Sequence, residues 1–206
     1  AWRRREGKVK VGLSPHAPYS VSPPLLKRLA EWARAEGLPL MVHAAESPEE
    51  VAFLARGEGP LREVYGRFAK TPWTPPGTTP VRHLHALGVL GPTTLLVHGV
   101  QVDEEEVGLL AETGTKVVLC PRSNANLEVG EAPLALYAKH GVELALGTDS
   151  RGSSPDLDVK NEARFLWGRA EPRLLVRALT RGGYRALGLP TPRLTRGTPL
   201  SLVHFL

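Results

Sequence analysis

Five polar residues stand where apolar runs give out. They are His16 in GLSPHAPYS (12–20), His43 and Glu46 in LMVHAAES (40–47), His98 in LLVHGV (95–100) and Asp149 in LALGTDS (144–150). A neutral imidazole and a carboxylate at the mouth of a sheet can share a divalent cation. A second carboxylate nearby can carry protons between an activated water and a leaving group. An imidazole beside it can bond the attacked group and offset developing charge. Metal-assisted hydrolysis is the chemistry these residue types allow together. Taken singly, each has a plainer role: a hydrogen-bonded core histidine for His43 or His98, a helix-terminus acid for Glu46, a turn residue for Asp149, a solvated loop histidine for His16. Asn124 in LCPRSN (119–124) either contacts substrate or shapes a turn, and Trp73 either stacks on an aryl group or packs under Pro75 and Pro76.

For these side chains to meet, the runs that carry them must lie side by side. Stretches 8–13, 38–44, 94–100, 116–120 and 142–147 read as strands, and they are apolar without alternation, which predicts a parallel sheet covered on both faces. Helices are predicted between them. Ser22, Pro23 and Pro24 open one that sets Leu26, Leu29, Ala30 and Ala33 on a single face, with Gly37 as its stop. Ser47, Pro48 and Glu50 form a capping-box pattern ahead of Val51 and Leu54. Asp103 with Glu106 opens a helix carrying Val107, Leu110 and Ala111, ended by Gly114, and a further helix is expected near 132–140. Polar groups at the ends of four different strands favour a (β/α)8 TIM-type barrel over a doubly wound sheet, whose ligands gather at one switch point. The expected fold class is therefore α/β: a partial TIM barrel over residues 1–190, with about five of the eight strand–helix units. A β segment at 191–206 is expected to begin a small sandwich. The stretch 57–80, long and rich in Gly and Pro, reads as a functional lid.

Composition narrows the partners. One cysteine, Cys120, permits neither a disulfide framework nor a cysteine-rich zinc site, and fits a reducing cytoplasm. No stretch approaches the roughly 20 apolar residues of a membrane-spanning helix. A net charge of +5 comes from 26 basic residues spread along the chain among acids, so neither nucleic acid nor membrane is expected as a partner. At 206 residues the chain falls short of the roughly 250 of a complete barrel, which predicts that it is the back part of a larger protein. The His83-Leu84-His85 pair is declined as a metal site, because Val81, Leu84 and Leu87 recur at helical spacing and residues two apart on a helix point about 200° apart.

Taken together, the motifs at His16, His43, Glu46, His98, Asn124 and Asp149 resemble the amidohydrolase superfamily, in its cytosine-deaminase and chlorohydrolase branch, over most of residues 10–190. The resemblance implies that His43 and Asp149 are metal ligands, Glu46 the proton shuttle, His98 a catalytic hydrogen-bonding group beside Asp149, and His16 a substrate contact, with Asn124 and Trp73 as further substrate-binding candidates. It implies one divalent metal, zinc by ligand type with iron or manganese also compatible. No lysine stands at the strand end near His16 where two-metal relatives carry a carbamylated one. The family's His-x-His strand is absent from this sequence, which implies a missing N-terminal half of the barrel. SPHAPYS, HAAES and the segment around Trp73 resemble the deaminases of aminodeoxyfutalosine-type nucleosides in menaquinone synthesis. S-adenosylhomocysteine or methylthioadenosine deaminases and chlorohydrolases stay open, as do a homo-oligomer and a non-catalytic fragment.

Overall fold

The computed structural model describes residues 11–68, 73–191 and 196. Four strands, β1 (Leu40–Ala44), β2 (Thr94–His98), β3 (Lys116–Leu119) and β4 (Leu144–Leu146), form one parallel sheet in the order β1-β2-β3-β4. Leu13 adds a parallel bridge to Leu40 on the outer side of β1, and the His43 amide donates to the His16 carbonyl, so residues 13–16 run alongside that strand. Of the five expected strands, four are present as such. The first survives as this bridge, and residues 8–10 lie outside the described part. The β segment expected at 191–206 also lies outside it, apart from Thr191 and Arg196.

Ten helices accompany the sheet among the described residues: α1 (Pro23–Glu36), α2 (Pro48–Arg56), α3 (Pro60–Phe68), α4 (Pro80–Ala86), α5 (Glu104–Thr113), α6 (Pro121–Asn126), α7 (Leu134–Lys139), α8 (Val159–Phe165), α9 (Pro172–Arg177) and α10 (Gly183–Ala186). The last two are joined by a π-helical turn, Ala178–Gly182. Each strand-to-strand connection carries at least one helix, the arrangement parallel strands require.

Register decides what each face buries. Leu40, Val42 and Ala44 of β1, Leu96 of β2, Val117 and Leu119 of β3, and Leu144 and Leu146 of β4 share the main core with Leu26, Ala30 and Ala33 of α1, Val107 and Leu110 of α5 and Tyr137 of α7. The opposite face carries His43, Leu95, Val97, Val118 and Ala145. A smaller cluster forms there, where Ala186 of α10 covers Leu95 and Ala145, while Met41 on β1 stays 38% exposed. The continuous apolar runs thus mark a sheet with two covered faces, unevenly covered.

The helix signals hold in most particulars. Gly37, Gly57 and Gly114 end α1, α2 and α5 with positive φ, a conformation that costs glycine little. Asp103 and Glu106 form the full reciprocal capping box of α5, at 2.8 and 3.0 Å. At α2 only half the expected box is present. Ser47 Oγ accepts from the Glu50 amide at 3.2 Å, but the Glu50 carboxylate reaches past Ser47 to the amide of Glu46.

The 57–80 stretch is not the open loop its composition predicts. It contains α3 and the start of α4, and Trp73 stacks on Phe53 of α2 at 4.1 Å between ring centroids and 11° between planes, with Tyr65 of α3 against both. On α4 His83 is buried and His85 exposed, so the pair faces opposite ways, as helical spacing requires.

The π-helical turn packs against β4 through Gly182. A methyl group there would overlap the Leu144 carbonyl of β4, although the backbone itself is ordinary helix. At neighbouring Gly183 a methyl group meets nothing within 4 Å. Gly182→Ala should therefore lower the unfolding free energy by about 1–3 kcal/mol. Gly183→Ala should leave it unchanged or raise it by up to about 1 kcal/mol. Urea denaturation of the two variants measures the contrast, and equal effects would contradict this packing.

Candidate active site

The carboxyl ends of β1, β2 and β4 deliver three of the predicted groups to one place. Glu46 Oε1 lies 3.6 Å from His98 Nε2, and Glu46, His98 and Asp149 each offer a ligand atom within 4.8 Å of the other two. His43 stands beside them, its ring 5.6 Å from that of His98 and 5.4 Å from that of His16.

Strict strand alternation would not give this arrangement. His43 pairs with Val97, so His98, one residue further along β2, falls in register with Ala44 and would follow Leu96 into the helix-covered face. His98 instead has φ +76°, and Ala45 and Asp149 have φ +54° and +59°. Left-handed backbone at non-glycine residues costs on the order of 1–3 kcal/mol each and persists only where the surroundings hold it. Three of the four such residues among the described ones sit at the ends of β1, β2 and β4. Strain here is what turns each strand end toward the others.

The surroundings that hold it are identifiable. The Ala45 carbonyl accepts from the amides of Val100 and Gln101, both at 2.8 Å. Tyr137 donates its hydroxyl to the Gly99 carbonyl at 2.5 Å, fixing the turn just after His98. His98 is 1% exposed, and its Nδ1 donates to Asn124 Oδ1 at 2.8 Å, which leaves the lone pair of Nε2 facing Glu46 and Asp149. His43 is oriented in the same way, since its Nδ1 donates to the His16 carbonyl at 2.8 Å and Nε2 is left free. An imidazole whose other nitrogen donates to a carbonyl is the tautomer that can ligate a metal.

Asp149 accepts on Oδ2 from the hydroxyls of Ser123 and Ser153, each at 2.7 Å. Burial would raise its pKa, but these two bonds, with His98 nearby, outweigh it and hold the carboxyl below its ordinary range. The side chain is thereby kept ionised, with Oδ1 left for another partner.

Glu50 behaves in the opposite way. It is 2% exposed, Oε1 has no hydrogen-bond partner among the described residues, and burial pushes its pKa up to about 8 despite bonds from the Glu46 and Ala45 amides. Tyr19, between His16 and this pair, is pushed up to about 12 by burial and by the charges of Glu50 and Glu46.

The structure thus gathers Glu46, His98 and Asp149, with His43 and exposed His16 alongside. Asn124, 2% exposed, spends its amide oxygen on His98, and Trp73 spends a ring face on Phe53. Sequence reasoning passed over Ser123, Ser153 and Glu50. Ser123 lies inside the CPRSN motif next to Asn124, and Glu50 was counted only as a cap, so both had visible signals. Ser153 had none.

The chain belongs to the amidohydrolase family, whose model matches residues 1–205. It is 43% identical over 213 residues to the aminodeoxyfutalosine deaminase of Deinococcus radiodurans, an alignment covering 95% of this chain and 50% of that protein. It is 34% identical over 207 residues to 5-methylthioadenosine/S-adenosylhomocysteine deaminase 2 of Archaeoglobus fulgidus, covering 97% and 45%. Among solved structures, an adenosine deaminase from Xanthomonas campestris with bound zinc superimposes with a TM-score of 0.69 at 31% identity, over 86% of this chain and 38% of that one. An aminofutalosine deaminase from Helicobacter pylori superimposes at 0.79 with 24% identity, over 91% and 50%, a likeness of fold alone. The chain spans half or less of the length of these relatives. No described helix is long and apolar enough to cross a membrane.

The buried Glu50 gives a pH prediction. Folded, it keeps its proton up to about pH 8, whereas an unfolded glutamate releases it near 4.5. The stability it contributes is fully present below the unfolded value and is lost as pH rises through the folded one. Thermal unfolding of the intact protein should show a midpoint that declines between these limits, and Glu50→Gln should flatten that decline. A variant with the same slope as the parent would remove Glu50 as its source.

Proposed function

We propose that the intact protein hydrolyses the amino group from an adenine-type nucleoside, giving the hypoxanthine form and ammonia. The observation that carries this reading is the approach of Glu46 to His98 at 3.6 Å beside the ionised Asp149, at the carboxyl ends of parallel strands. The names of the relatives support the nucleoside class.

The donor set fits a divalent cation of the zinc, iron or manganese type: imidazole nitrogens with their lone pairs free, and a carboxylate oxygen left over after two serine bonds. In this reading His43 Nε2 and Asp149 Oδ1 are its ligands from this chain. Glu46, whose Oε1 lies 3.6 Å from His98 Nε2, is assigned the first proton transfer. When bound, the cation supplies the Lewis acidity that makes water nucleophilic at neutral pH.

The rest is done by side chains. Glu46 takes a proton from the attacking water and passes it to the ring nitrogen next to the amino-bearing carbon. His98, aimed at that centre by Asn124, accepts a hydrogen bond from the attacking water on Nε2 and orients it. Asp149 accepts the second proton of the water and delivers it to the departing amine. His16, exposed at the rim with Tyr19 at 5.7 Å, is assigned a contact with the substrate. Asn124 acts on the substrate through His98, and Trp73 packs the α2–α3 wall.

Glu46→Gln preserves shape but cannot carry a proton, and should reduce turnover by a factor on the order of 10² to 10⁴ with the fold intact. Absorbance assays of parent and variant over adenosine, methylthioadenosine, S-adenosylhomocysteine, aminodeoxyfutalosine, guanine and chlorotriazines test both parts of the reading. Activity is expected on adenine nucleosides, most of all on those with a bulky 5′ substituent. Turnover of guanine or chlorinated rings alone would sink the nucleoside assignment. No turnover of any of them would favour a non-catalytic role.

A further inference from the structure

The start of α2 departs from the cap its sequence spells. In a reciprocal capping box the third helical residue returns its carboxylate to the amide of the N-cap residue. Glu106 does this for Asp103 in α5. Glu50 occupies the same position relative to Ser47, yet its Oε2 accepts from the amide of Glu46, one residue further upstream, at 2.9 Å. The side chain is almost fully buried, so the contact is not an incidental surface bond.

Glu46 needs such a contact. β1 ends at Ala44, and Ala45 has left-handed backbone, so the Glu46 amide lies beyond the strand ladder and directly after a strained residue. The carbonyl side of this turn is pinned, because Ala45 O accepts from Val100 and Gln101 and Ala44 O from Gly99. On the amide side, the Glu50 carboxyl accepts from the Glu46 amide and engages that of Ala45. Without an acceptor there, the peptide between Ala45 and Glu46 is held at its carbonyl alone, and rocking about that end shifts the Glu46 side chain relative to His98.

We propose that Glu50 is a positioning residue for the reaction, a buried clamp on the Glu46 backbone that holds the proton-carrying carboxylate at His98. The proposal rests on the reading of Glu46 as proton carrier. It assigns Glu50 no contact with substrate.

The test compares Glu50→Gln, Glu50→Met and Glu50→Ala with the parent and with Glu46→Gln, all in the intact protein with an adenine nucleoside as substrate. Gln keeps an oxygen acceptor in nearly the same volume, and Met keeps the volume without the acceptor. A displacement of about 1 Å at a reacting group can cost on the order of 10²-fold in rate. Glu50→Met and Glu50→Ala should accordingly lose at least about tenfold in kcat, with KM within about twofold. Glu50→Gln should restore kcat to within about threefold of the parent. Hydrogen exchange gives a readout independent of turnover: the Glu46 amide should be protected in the parent and in Glu50→Gln and should exchange faster in Glu50→Met. If Glu50→Ala does not fold, the Met and Gln pair carries the comparison. Parental kcat in Glu50→Met, with Glu46→Gln inactive, overturns the clamp and leaves the proton carrier standing. Near-parental turnover in Glu46→Gln overturns both.

Discussion

Parallel pairing puts the carboxyl ends of all four strands on one side of the sheet, and the chain then bends through left-handed backbone at Ala45, His98 and Asp149. Both halves of that constraint are needed. Register alone would aim His43 and His98 at opposite faces, and a left-handed turn alone would have nothing to converge on. Because non-glycine residues adopt such backbone only under compulsion, the site exists only while neighbouring groups hold it. Those neighbours are ordinary: backbone amides of residues 99–101, the Tyr137 hydroxyl, and side chains drawn from helices that otherwise pack the core.

The polar groups behind the site sort the charge states of those in front. Two hydroxyls on one oxygen of Asp149 favour its anion, while an apolar enclosure with too few donors keeps the proton on Glu50. The two histidines are fixed in one tautomer by oxygen acceptors, a backbone carbonyl for His43 and the Asn124 amide for His98.

Much of this was legible in the sequence. Unbroken apolar runs announced buried parallel strands, and Ser, Asp, Pro and Gly at helix ends marked where helices begin and stop, because caps and turns depend on a few adjacent residues. His43, Glu46, His98 and Asp149 could be picked out because each ends an apolar run. What escaped depends on long-range geometry. That Asn124 serves His98, and that Ser123 and Ser153 serve Asp149, follows from contacts 26, 26 and 4 residues apart in the chain, of which only the last is local. The Ser47 box misled by one residue, since a capping pattern does not say which amide the carboxylate will choose. The Gly and Pro content of 57–80 suggested a long loop serving as a lid, whereas residues 60–68 form the surface helix α3, whose Tyr65 joins the Phe53–Trp73 aromatic cluster.

The family's chemistry would thus be carried in this chain by two ligands for a cation and two groups kept free of it. Anomalous diffraction at the zinc edge, from crystals of the intact protein grown with zinc, tests that division of labour most directly. The account predicts a single peak at about 2 Å from His43 Nε2 and from a carboxylate oxygen of Asp149. Glu46 should remain outside the coordination shell, within reach of His98. A peak ligated by Glu46, His98 and Asp149 without His43 would contradict it.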